Sequence, residues 1–87
     1  MDDAQIYQKI KEALADEFEL DAERLVPEAH IRDDLGLDSL DIVDMVIVLE
    51  KAFAFKLPDR AALANVHTVG DICAFVISLR DSGTIRQ

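Results

Sequence analysis

The chain has 87 residues, a net charge of −9 and a pI near 4.4, with 51% of its positions apolar. That length allows one domain, whose folding buries about 60–65% of the unfolded surface, and the apolar content favours a packed core over acidic disorder. The charge excludes a nucleic-acid binder, which needs clustered Lys and Arg, and it favours basic protein partners.

Ile6, Ile10, Leu14 and Phe18, with Tyr7 and Ala13 beside them, recur every four residues and predict a first helix over about Ala4 to Glu19. Lys9, Lys11 and Glu12 take its wet side. Between Leu20 and Leu37 the period fails and Pro27 intervenes, which predicts a long loop with Leu25, Val26, Ile31 and Leu35 turned inward. A loop of that length in a small domain is usually functional.

The loop delivers the chain to Asp33-Asp34-Leu35-Gly36-Leu37-Asp38-Ser39-Leu40-Asp41, where a glycine-loosened segment meets an apolar run from Leu40 to Phe55 without Pro or Gly. Asp38 or Ser39 should cap a second helix running to about Lys56 and ending before Pro58. Unpaired amides at that helix start suit a phosphate esterified on Ser39. Ile42, Val46, Leu49 and Phe53 form one apolar stripe, and Leu40, Val43 and Ile47 a second beside it. Two stripes imply a central helix with neighbours on two sides, or one lining a cavity. The outward arc then holds Asp41, Asp44, Met45, Val48 and Lys51.

A short third helix is expected from Asp59 to Ala64, with Ala61, Ala62 and Leu63 as its packing face. Thr68 followed by Asp71 is a capping-box variant opening a last helix, with Val69, Ile72, Cys73, Val76 and Leu79 on its apolar side. Ser82-Gly83-Thr84 ends it. Residues 1–80 thus form one domain and 81–87 a flexible tail. The expected fold is all-α, a four-helix bundle with three long helices, one short third helix and a long first loop. The lone Cys73 excludes an internal disulfide and reads as a small buried thiol. No apolar run reaches the roughly 18 residues of a membrane span, and Met1-Asp2-Asp3 is acidic where a signal peptide is basic, so a cytoplasmic monomer is expected.

Catalysis at Ser39 would require an adjacent base and a group orienting it. The histidines, His30 and His67, stand in no triad context, and Asp34, Asp38 and Asp41 disfavour an oxyanion. Those acids also miss the register of an EF-hand, so no metal site is expected. Attachment of a group asks less of Ser39: exposure, a mobile approach supplied by Gly36, and a recognisable neighbourhood.

Asp34-Leu35-Gly36-Leu37-Asp38-Ser39-Leu40 resembles the motif around the modified serine of the acyl carrier proteins. The likeness extends through Leu25-Val26-Pro27-Glu28-Ala29, Glu50, Phe53, Leu57-Pro58-Asp59 and Val66 to Asp71, covering roughly Ile6 to Leu79. The resemblance implies a discrete, type II carrier, itself non-catalytic, with 4′-phosphopantetheine attached to Ser39 and acyl groups carried on its thiol as thioesters. It implies that Asp38 and Leu40 are read by the phosphopantetheinyl transferase. Asp41 and Asp44, with Met45, Val48 and Lys51, would form the face that docks basic acyl-loading and chain-elongating enzymes of fatty-acid or related synthesis. Ile31, Leu49, Leu57, Val66 and Ile72 would line the space that takes the acyl chain.

The second half of that helix departs from the fatty-acid pattern, since Lys51, Lys56 and Arg60 intrude and Ala52, Ala54 and Phe55 replace polar residues. A specialised carrier with a dedicated partner is therefore expected rather than a housekeeping one. Peptidyl carriers more often have Gly-Gly-His/Asp-Ser where this chain has Gly36-Leu37-Asp38-Ser39. The alternative from another class is an unmodified helical adaptor that uses the acidic face alone.

Overall fold

The computed structural model describes residues 2–56 and 65–83. Three α-helices stand among them, α1 (Asp3–Phe18), α2 (Ser39–Phe53) and α3 (Val69–Asp81), with one turn of 3-10 helix at Ala22–Arg24 that periodicity did not announce. The fold is all-α, in agreement with the sequence. The short helix expected at Asp59 to Ala64 lies outside the described residues, as do Leu57, Arg60 and most of the expected tail.

Each helix starts where a side chain satisfies the orphan amides of its first turn. Asp2 caps α1 through a reciprocal pair with Gln5, at 2.8 and 2.9 Å. Thr68 caps α3, its Oγ1 accepting from the Asp71 amide at 3.1 Å while the Asp71 carboxylate accepts from the Thr68 amide at 3.1 Å. That carboxylate also takes the His67 amide, and these backbone donors hold its pKa below the ordinary value.

Ile6, Ile10 and Leu14 of α1, Met45, Leu49 and Phe53 of α2, and Val69, Ile72 and Val76 of α3 meet in one buried core. Each fully buried aliphatic side chain there contributes about 1.5–3 kcal/mol of transfer free energy. The helix that packs against both others is α1. The two apolar stripes of α2 had implied either that role for α2 or a cavity beside it, and the second stripe does not face inward. Leu40 is 77% exposed, Ile47 is 40% exposed and Val43 is half-buried.

The second helix stops three residues short of the expected Lys56. Ala54 takes a left-handed conformation at φ 54°, with its amide donating to the Glu50 carbonyl. The Phe55 amide reaches the same carbonyl at 3.2 Å, and its ring turns back into the core. Burial of that ring offsets the cost of a non-glycine residue at positive φ, about 1–2 kcal/mol.

The long loop is pinned rather than loose. Leu25, Ala29, Ile31, Leu35 and Leu37 are all buried, whereas Val26, expected inside, is 44% exposed. The Tyr7 hydroxyl donates to the Leu25 carbonyl at 2.7 Å, and the Arg24 guanidinium to the Asp34 carbonyl. A short antiparallel bridge then ties the loop to the start of α3: Ile31 donates to the His67 carbonyl at 2.8 Å, Val69 to that of Ala29 at 3.0 Å, and Gly70 to that of Pro27 at 2.9 Å.

Candidate functional site

The loop's last turns place Ser39. Asp34 and Leu35 donate their amides to the His30 carbonyl, Gly36 donates to that of Arg32, and Leu37 to that of Ile31, which winds residues 30–37 into consecutive tight turns. Gly36 sits at φ 71°, a left-handed conformation that any other residue adopts at a cost. Its part is thus to make the turn that sends Leu35 and Leu37 into the core on either side, not to loosen the segment.

Asp38 is the N-cap of α2. Its Oδ1 accepts from the amides of Leu40 at 2.9 Å and Asp41 at 3.0 Å, and the Asp41 carboxylate accepts in turn from the Asp38 amide at 3.1 Å. The Ile42 amide is already bonded to the Asp38 carbonyl at 3.0 Å. The expectation of several free amides facing the serine is therefore corrected for Leu40, Asp41 and Ile42, which are already bonded to Asp38.

Ser39 occupies the first helical position and is exposed. Its Oγ accepts a hydrogen bond from Nη2 of Arg32 at 2.9 Å. Neither histidine serves it. His30 and His67 stack on each other with ring centroids 6.1 Å apart, and His30 Nδ1 lies 3.7 Å from the Asp33 carboxylate. Among the described residues the hydroxyl is exposed and bonded to a guanidinium, not to the adjacent base that activation as a nucleophile requires.

Arg32 is the residue that sequence reasoning missed. It is the only Lys or Arg between Leu25 and Glu50, and that isolation was a signal available in the sequence.

The expected docking residues divide. Asp44 and Lys51 are exposed, Asp41 and Val48 half-buried, and Met45 fully buried at 0%, while Leu40, expected at the transferase contact, is exposed. Met45 is thereby removed from the docking patch. The buried arc of α2 runs through Met45, Leu49, Ile42, Phe53 and Val46, about 100° wide, and the opposite side presents Leu40, Ile47, Lys51 and Asp44. Asp44, Ile47, Val48 and Lys51 also border an open groove against Ala13, Asp16 and Glu17 of α1.

Of the expected acyl-chain residues, Ile31, Leu49 and Ile72 are core members and Val66 packs against them; Leu57 lies outside the described residues. Cys73 is half-buried, and burial pushes its thiol up to about 11. Among the described residues no cluster of His, Cys, Asp or Glu is arranged to hold a metal ion, and no helix is long and apolar enough to cross a membrane.

A phosphate esterified at Ser39 fits these residues, because the oxygen is exposed and already faces a guanidinium. The sequence model of the family described as phosphopantetheine attachment site matches residues 8–76, spanning all of this geometry. The chain belongs to that family of carrier domains, which bear covalently attached 4′-phosphopantetheine and work with the transferase that installs it and with acyl-handling enzymes.

Proposed function

We propose that Ser39 is the attachment residue and that the protein is a discrete acyl carrier, itself without catalytic activity, acting in the cytoplasm as a monomer. When bound, the arm supplies a terminal thiol on which acyl groups are carried as thioesters. The observation that carries this reading is the exposed Ser39 Oγ, held on the first turn of α2 by a capped helix start and a core-anchored loop, with Arg32 as its hydrogen-bond partner.

The chain's own residues then have distinct tasks. Asp38 fixes the direction in which Ser39 leaves the helix and, with Leu40, offers the transferase a charge beside an exposed apolar side chain. Asp41, Asp44 and Val48 remain docking residues, joined by Leu40 and Ile47 as the apolar part of the patch in place of Met45. Docking through so small and acidic a face is weak and salt-sensitive, which permits rapid exchange of partners, while the flexible arm raises the effective concentration at each active site. The core beside Ile31, Leu49, Val66 and Ile72 is where an acyl chain would be sheltered.

Partner choice is proposed to be specialised within fatty-acid, polyketide or related synthesis. Lys51 and Lys56 are exposed, while Phe55 is buried and Ala54 serves as the helix cap, so among the described residues the departure from an all-acidic face rests on the two lysines. A reversed rim charge lowers on-rates for partners built against acids.

Intact mass after incubation with coenzyme A, magnesium and a broad-specificity phosphopantetheinyl transferase tests attachment, with Ser39→Ala as control. A gain of one arm, lost in the control, supports the reading; no gain from folded protein rejects it. Specialisation is tested separately: it is wrong if a housekeeping malonyl transacylase and ketosynthase accept the holo protein as fast as their own carrier.

A further inference from the structure

We propose that Arg32 is the phosphate-binding residue of the arm: its guanidinium, which donates to Ser39 Oγ, moves onto the phosphodiester once that oxygen is esterified. The proposal rests on the reading of Ser39 as the attachment residue. It assigns to this chain a positioning contact that orients the first atoms of the arm.

Three observations carry it. First, three of the amides that a phosphate at a helix start would recruit are taken, since Leu40 and Asp41 both donate to the Asp38 carboxylate and Ile42 to the Asp38 carbonyl. A phosphate could use them only by displacing the cap.

Second, Asp33, Asp34, Asp38 and Asp41 surround Ser39 in the sequence, and a phosphodiester adds a further negative charge at neutral pH. Like charges packed in this way repel; of the two guanidinium groups that reach this loop, Arg24 donates to the Asp34 carbonyl, and Arg32 is the one bonded to Ser39.

Third, Arg32 is not spent on those acids. It forms no ion pair with a carboxylate among the described residues, and its Nη2 lies 2.9 Å from the hydroxyl. Esterification converts Oγ into a bridging ester oxygen, a poorer acceptor, and places charged non-bridging oxygens two bonds from it, on the same phosphorus. A guanidinium has five N–H donors in a planar fork that matches two such oxygens, and the exposed side chain is free to make the short shift.

The test uses holo protein prepared as wild type, Arg32→Lys and Arg32→Gln, with intact mass first showing one arm on each. Phosphorus-31 NMR then reads the diester, and the Nε–H signal of Arg32 is compared between apo and holo wild type. The expected result is a shift of the Arg32 signal on modification, with the phosphorus line narrowing in Arg32→Gln and only partly in Arg32→Lys. An unmoved Arg32 signal together with identical phosphorus shift and relaxation in all three proteins would overturn the proposal. A wild type that gains no arm would overturn the attachment reading, and the proposal with it, at the mass step. Because Arg32 is exposed, equal circular dichroism spectra are expected for all three proteins.

Discussion

The Gly70 amide donates to the Pro27 carbonyl at 2.9 Å, and a Cβ on Gly70 would stand 3.0 Å from that same oxygen. The first turn of α3 and the middle of the long loop are in contact because residue 70 has no side chain. Through this contact the loop that ends at Ser39 is braced against the far helix.

Gly70→Ala should therefore destabilise the protein even though alanine is the better helix former by about 1 kcal/mol. The crowded atom is backbone, and moving it away lengthens the hydrogen bond it accepts. A net loss of about 1 kcal/mol is expected in urea unfolding, with Gly70→Val worse. An unchanged or raised midpoint would mean that the Pro27 segment yields freely.

Substitution of Met45 and of Leu40 separates the two sides of α2. Met45→Ala should cost about 2–4 kcal/mol of stability, since the side chain is fully buried in the core. Leu40→Ala should leave stability within about 0.5 kcal/mol and slow modification by the transferase, because the side chain is 77% exposed beside Ser39. Urea midpoints and modification rates check both; the reverse pattern would restore Met45 to the docking face.

The long helices were legible because Ile6, Ile10 and Leu14, or Val69, Ile72 and Val76, repeat at helical spacing, with Thr68 as a cap in front of the last; the Asp2 cap of the first was not read. The rotation of α2 was not. Leu40, Ile42, Val43, Met45, Val46, Ile47, Val48 and Leu49 are all apolar, so periodicity alone selects no face. Asp44 and Lys51 carried the missing information, since both lie opposite the buried arc. The hydroxyl at Ser39 was evident from its motif; the isolation of Arg32 marked it as a lone cation, but its contact with Ser39 was not legible because a loop has no period to place a side chain seven residues away.

Asp38 combines capping with charge, and two variants distinguish them. Asp38→Ala should lose about 0.5–2 kcal/mol, as expected for an N-cap replaced by alanine. Asp38→Asn keeps an acceptor for the Leu40 and Asp41 amides and should retain most of that stability. If the transferase reads the charge, Asp38→Asn will still be modified slowly; if it reads only the geometry, the asparagine variant will match wild type.

Stability should fall in acid partly through Asp71. Its pKa is depressed in the folded state by the His67 and Thr68 amides, so the unfolded chain binds its proton first as pH falls and then the folded chain follows. The contribution is present above the ordinary carboxylate value of about 4 and is lost as pH drops through the lower folded value. Urea midpoints of wild type and Asp71→Asn should differ at pH 6 and converge in acid. A constant difference across that range would show that the carboxylate charge contributes nothing.

The central claim is that one hydroxyl of the three serines, Ser39, Ser78 and Ser82, carries the arm. Fragmentation mass spectrometry of the folded protein after complete reaction with the transferase tests it most directly. The account requires the added mass on Ser39 alone. Modification at Ser78 or Ser82, or a folded protein that remains unmodified, would contradict it.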